Sequence, residues 1–215
     1  MTFGGSNLAY SLYYADGTAA MGARVLLEEV GADYELIETS VEAKGPRSPE
    51  LLALNPNGWI PVLIHEWRAM YECGAITVYL CDLHPEFGLA PAANENDRGA
   101  FLQWLFYFSS SVQNAFQMTY YPFRFVDESD VEANVSARSL GRLREVWQVV
   151  DDAIGDNKWM LGDRFSAVDI YMFMLTTWFS ADRGHPTVSE FPNVERVASQ
   201  VSKRPSIQKV YGISN

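Results

Sequence analysis

Apolar and polar positions run first with the spacing of strands and then with that of helices. Residues 8–14 (LAYSLYY) have strand composition and meet a turn signal at Asp16-Gly17. Residues 18–30 predict a helix, with alanines, Leu26-Leu27 and Glu28-Glu29, and Gly31 as its stop. A short strand is expected at 34–37. A polar loop with Gly45, Pro46 and Pro49 follows over 39–50, then a short helix at 50–54. Val62–His65 reads as a strand, 69–72 pairs back on it, and 74–83 is helical.

The order is β-α-β, a loop with a short helix, then β-β-α. Helices between parallel strands, closed by a hairpin, make an α/β unit. Residues 84–96 (HPEFGLAPAANEN) are rich in Pro, Ala and Asn and read as a linker. The expected division is therefore 1–85, a linker at 86–96, and a second domain over 97–215. That second domain is all helical. A long aromatic helix runs over 97–120, and Leu140, Leu143, Trp147, Val150 and Ile154 form one apolar stripe. Residues 167–179 are apolar nearly all round, which predicts a central buried helix. Val194, Val197 and Val201 mark one more helix, ended by Pro205.

Composition narrows the function. The 215 residues are 48% hydrophobic, enough for a sizeable core and far from a disordered composition. A formal net charge of −11 argues against nucleic acid or an anionic membrane as partner. An anionic small ligand needs only a local positive field and stays open. The first 17 residues lack a basic region followed by an apolar run, and no stretch approaches the roughly 18 apolar residues of a membrane span. Cys73 and Cys81, if both on one helix, lie about 12 Å apart along its axis, too far for a disulfide. A reduced, cytoplasmic protein is expected. The three histidines are scattered, and no metal-ligand spacing occurs.

Several short stretches can carry chemistry, each with a structural alternative. In NPNGWIPVL, residues 55–63, the Ile60-Pro61 bond could be a simple loop-to-strand turn or a cis bond. With a cis bond the Ile60 N–H and C=O would face away from the sheet and could pair with an extended peptide. Glu72-Cys73-Gly74 stands where a strand meets a helix. The helix N–H groups could take a carboxylate and Glu72 an ammonium, or Glu72 simply caps the helix. Cys73 is either a small buried residue or a thiol activated by the helix end. Thr18 could donate to a ligand thiolate at the first helix, or it and Asp16 could serve as caps. Tyr13 and Tyr14 alternate across the first strand, so one of them faces whatever lies above the sheet. Ser166 and Asp169 form a capping pattern at the head of the buried helix, for which the structural reading is favoured.

Together these pieces resemble the cytosolic glutathione S-transferases, nearest in register to the bacterial beta type. The resemblance rests on SLYYADGTAAMGARVLLEEVGADYE, LLALNPNGWIPVL, YECGAITVYLCDLHPE, RGAFLQWLFYFSSSVQNAF and LGDRFSAVDIYMF. It implies a thioredoxin-like N-terminal domain and an all-helical glutathione-transferase C-terminal domain, usually as a homodimer. It implies glutathione as co-substrate, held by Trp59, Ile60, Pro61, Glu72 and Cys73, with no metal. It places the electrophile against Phe106, Ser110, Gln113, Asn114 and Gln117 of the long helix, whose aromatics favour an apolar or aromatic substrate.

The chain also departs from the pattern. The beta-type cysteine falls on Ala19 and the following serine on Ala20, Cys73 replaces a serine, and Trp59 stands where Gln, Lys or Leu is usual. The beta-type His-Lys pair falls on Gln113 and Asn114. Catalysis would rest on Thr18, Tyr14 or Tyr13 and the first helix end. Lowering a thiol pKa by two units takes about 2.7 kcal/mol. One hydrogen bond to the anion supplies about 1.5–3 kcal/mol, and a helix end about 0.3–1 kcal/mol. A modest transferase is feasible on those terms. A non-catalytic binding or regulatory module of the same fold is the second reading, with a basic protein as partner. Mixed-disulfide exchange at Cys73 is the third.

Overall fold

The computed structural model describes residues 10–40, 45–127 and 129–213. Residues 1–7, which read from the sequence as a loose leader, lie outside them. The chain divides into two compact units, one reaching to Phe87 and the other starting at Gly88.

The first unit is built on a four-stranded sheet of β1 (Tyr10–Tyr14), β2 (Tyr34–Glu38), β3 (Val62–His65) and β4 (Arg68–Tyr71), in the order β2-β1-β3-β4. β1 and β2 are parallel, joined by helix α1 (Ala20–Glu29). β3 runs antiparallel to both β1 and β4, with Tyr13 opposite Val62. Helix α2 (Pro49–Leu54) precedes β3, and α3 (Cys73–Leu83) follows β4. Leu12, Val25, Leu26, Leu27, Leu63, Ile76 and Leu80 are buried, as the alternation of β1 and the apolar faces of α1 and α3 require.

Helix α1 begins at Ala20, two residues later than expected. The reason is local: the Thr18 hydroxyl donates to the Ala15 carbonyl at 2.7 Å, which closes a turn before the helix starts.

The second unit is all helical. The predicted long helix is α4 (Arg98–Phe106), one wide π-type stretch at Tyr107–Val112, and α5 (Gln113–Tyr120). The Ser109 and Ser110 hydroxyls both donate back to the Phe106 carbonyl, at 3.2 and 2.7 Å. Such back-bonding opens a helical turn. Next come α6 (Ser129–Ile154), α7 (Ala167–Thr176), α8 (Pro192–Val201) and α9 (Pro205–Tyr211). Of the predicted stripe on α6, Leu143, Trp147, Val150 and Ile154 are fully buried.

Helix α7 is the buried centre: every residue from Ala167 to Leu175 is buried. It ends at Thr176 rather than at 179, because the Thr176 and Thr177 hydroxyls take the last-turn carbonyls of Phe173 and Met174, both at 2.6 Å. Its start is the expected capping box. Asp169 accepts from the Ser166 N–H at 2.8 Å and from the Met160 N–H at 2.8 Å. Burial pushes the Asp169 carboxyl up to about 6 against the pull of those bonds.

Pro205 does not end the helix before it; it opens α9 from the first turn, where its missing N–H costs nothing. Asp151 of α6 holds the head of α8, accepting from the N–H groups of Asn193 and Val194 at 2.7 and 2.9 Å.

His185 packs in the same unit, edge-on to Phe116 and Tyr120 at 5.6 and 5.3 Å between ring centres. Its Nδ1 accepts the Ser180 N–H, and burial lowers the pKa of the ring against the opposing pull of its Trp178 backbone contact.

Candidate functional site

Three segments of the first unit meet at the C-terminal end of β1. The first is the turn at 55–61. Asn55, buried at 3% exposure, builds it. Its side-chain oxygen accepts the Asn57 N–H at 3.1 Å, its carbonyl accepts the Gly58 N–H at 2.8 Å, and its Nδ2 donates to the Trp59 carbonyl at 2.7 Å. The Ile60–Pro61 peptide bond is cis. Among the described residues neither the N–H nor the C=O of Ile60 has a hydrogen-bond partner. A backbone pair without partners beside a sheet is what an extended peptide can engage.

The second segment is the entrance to α1. Ala20 packs in one cluster with Leu51, Ile60 and Val62, and Tyr13, Tyr14, Ala15 and Leu54 close around it. The Tyr13 and Tyr14 hydroxyls have no hydrogen-bond partner among the described residues. The Arg24 guanidinium sits 5.5 Å from the Tyr14 ring centre. Thr18 differs, since its proton goes to Ala15 and its oxygen accepts the Ala20 N–H at 3.3 Å. Of the three hydroxyls named from the sequence, the two tyrosines therefore have a proton to offer and Thr18 already uses its own.

The third segment is the head of α3. Glu72 is exposed, holds a left-handed backbone (φ 72°), and makes no cap to the helix. The capping alternative for Glu72 is thus not the geometry found. Cys73 is 5% exposed, and its thiol donates to the Ala19 carbonyl at 3.3 Å, tying α3 to the entrance of α1. Cys73 and Cys81 are both buried, and neither is in a disulfide. Ala19 and Ala20 are 5% and 0% exposed, so their methyl groups line the core and bring no chemistry.

Ile60, Ala20 and Cys73 are thus brought together within one unit. Phe106, Ser110, Gln113, Asn114 and Gln117 belong to the other. There Phe106, Ser110 and Asn114 are exposed, Gln113 accepts from the Tyr171 hydroxyl at 2.8 Å, and Gln117 accepts from Arg124 at 3.3 Å. Gln113 is therefore tied to the core helix.

Two residues escaped the sequence reading. Asn55 was inside the quoted motif, and its place before a proline with a glycine three residues on is the signal for a side-chain-built turn. Arg47 had no local signal; it lies in a polar loop and acts on residues eleven and twelve positions away.

Among the described residues, no group of three or more His, Cys, Asp or Glu side chains could hold a metal ion. No helix among them is long and apolar enough to cross a membrane.

Residues 9–82 match the glutathione S-transferase N-terminal domain, and residues 101–205 match the C-terminal domain. The chain belongs to the glutathione S-transferase family. Its N-terminal unit is thioredoxin-like, with the mixed sheet described above. One relative is glutathione S-transferase GstA of Escherichia coli O157:H7, 25% identical over 92% of this chain and 94% of that protein. A ternary complex of BphK, a bacterial glutathione S-transferase, is 27% identical with a TM-score of 0.79, over 93% of this chain and 96% of that one. A glutathione transferase homologue from Sulfitobacter, with bound glutathione, shares the fold at a TM-score of 0.86 and 22% identity, over 95% of this chain and 98% of that one. Ala19 and Ala20, on which the sequence resemblance places the beta-type cysteine and serine, are buried.

Proposed function

We propose that this glutathione S-transferase-like chain binds reduced glutathione in its first unit and transfers it to a small apolar or aromatic electrophile. The observation that carries the reading is the convergence of Ile60, with its unpartnered backbone, on the entrance of α1 and the head of α3. In this reading the cysteinyl backbone of glutathione pairs with Ile60, next to Trp59 and Pro61. Its γ-glutamyl carboxylate meets the first N–H groups of α3 at Cys73 and Gly74, and Glu72 takes its ammonium.

The thiolate lies at the N-terminus of α1, where the helix end favours negative charge. A hydroxyl from Tyr13 or Tyr14 donates to it; Thr18 supports the turn and serves the thiolate only if it releases Ala15. The electrophile contacts proposed on the second unit are the exposed Phe106, Ser110 and Asn114 and the half-buried Gln117. The working form is a cytoplasmic homodimer.

Calorimetry with reduced glutathione tests the reading, run beside Glu72→Ala. Micromolar to low-millimolar binding that the substitution abolishes is expected. An absence of heat at millimolar glutathione would remove the proposal.

A second reading has its own observation. Ala19 and Ala20 offer no side-chain nucleophile or donor, and Thr18 is engaged. The fold would then serve as a binding or regulatory module. Turnover of an activated aryl chloride decides between them: binding without turnover favours the module.

A further inference from the structure

The segment leading into Ile60 is gripped from two sides. On one side Asn55 holds the Trp59 carbonyl. On the other, Arg47 reaches across from the loop before α2. Its Nε donates to the Gly58 carbonyl at 2.7 Å and its Nη1 to the Gly45 carbonyl at 3.0 Å. Its guanidinium carbon lies 4.5 Å from the centre of the Trp59 ring.

The arginine stem runs directly against Gly58. A Cβ at that glycine would come within 2.5 Å of Arg47 Cγ, and the residue already holds φ +67°. Only glycine suits this backbone and this neighbour. The two carbonyls that precede Ile60 are thus both held by side chains, and the residue they deliver has an unpartnered backbone.

We propose that Arg47 is a positioning residue: through Gly58 and the stack on Trp59 it sets how the Ile60 backbone is presented to the peptide ligand. The inference rests on the glutathione reading for the identity of that peptide. It explains why arginine stands here. A planar fork can bond two carbonyls and stack on an indole in one conformation, and a lysine ammonium cannot. It also gives Trp59 a role that does not require touching the ligand, as the surface on which the fork is laid.

The test uses Arg47→Met and Arg47→Lys in the full chain. The first readout is amide hydrogen exchange of the ligand-free protein. Protection of the Gly58 N–H, bonded to the Asn55 carbonyl, should fall about tenfold or more in both variants. The Ile76 N–H, bonded to Glu72, should not change. The second readout is calorimetry with glutathione and with γ-glutamylcysteine, which lacks the glycine carboxylate. Both peptides should weaken by the same factor, about tenfold, in both variants.

Unchanged Gly58 protection would overturn the proposal. So would a loss confined to glutathione, or a lysine variant that binds like the parent, since either makes Arg47 a direct charge partner of the ligand. If the parent protein binds neither peptide, the glutathione reading fails, and the exchange experiment still decides whether Arg47 positions the turn.

Discussion

Two helices of this molecule start in opposite ways. At α7 the entrance is closed: Ser166 and Asp169 form a reciprocal box at 0% exposure, and Asp169 also takes the Met160 N–H from the preceding loop. At α3 the entrance is open. Glu72 stands exposed with a left-handed backbone and gives the helix no side-chain cap. A helix entrance without a side-chain cap leaves room for an outside carboxylate at its first turn. The closed one keeps a buried helix in place. On the proposed glutathione reading, the difference separates a part built for stability from a part built for a ligand, within one chain and with the same type of element.

Breaking the closed entrance should produce the largest effect on the fold. Asp169→Ala removes the acceptor for two buried N–H groups and should lower unfolding stability by about 2–4 kcal/mol in urea titrations. A change under about 0.5 kcal/mol would mean that the box is ornamental. At the open side the largest effect is on activity. The tyrosine that faces the thiolate should lose roughly 10–100-fold in turnover on change to Phe, the equivalent of one hydrogen bond to an anion. Running Tyr13→Phe and Tyr14→Phe in parallel identifies it, and equal turnover in both would leave the tyrosines out of the mechanism.

The pH dependence of stability sharpens the contrast further. Asp169 has a folded pKa of about 6, above its unfolded value. Its contribution is complete below the unfolded pKa of about 3.9 and is lost as pH rises through about 6. His185 has a folded pKa below its unfolded value of about 6.5. Its contribution is present above that unfolded value and is lost as pH falls through the folded one. Thermal melts across pH 4–8 should therefore show opposing slopes, and His185→Leu should remove the fall on the acid side. An unaltered acid limb in that variant would contradict the assignment.

The smallest effects return to the open entrance. Thr18→Ala should cost about 1 kcal/mol through its lost Ala15 bond, with turnover nearly unchanged. Glu72→Ala should leave stability within about 0.5 kcal/mol of the parent even as glutathione binding disappears.

Much of this was legible in the residues. The strand read at 8–14 from its composition is found at Tyr10–Tyr14, the one at Val62–His65 stands as read, and of the stripe read from Leu140 to Ile154 the positions from Leu143 on are fully buried, as helical periodicity requires. The box at Ser166 and Asp169 was legible because its partners are three positions apart. What periodicity could not show is what depends on hydroxyls and on distant partners. Thr18 reads as part of a helix until its bond to Ala15 is seen, and Thr176 and Thr177 cut α7 short for the same reason. Pro205 carries an ambiguous signal, since a proline both stops a helix and starts one. At the candidate site, Ile60 and Glu72 stood out by motif. Arg47 did not, because its meaning lies in a carbonyl and an indole ring eleven and twelve positions downstream.

The wide turn at Tyr107–Val112 has a mechanical consequence. A rod of uniform i→i+4 bonds transmits a push along its whole length, but a rod with one slack turn behaves as two segments and a joint. Two serine hydroxyls clasp that joint at the Phe106 carbonyl. Under load the helix from Arg98 to Tyr120 should yield there first, so its two halves can tilt without either one unwinding.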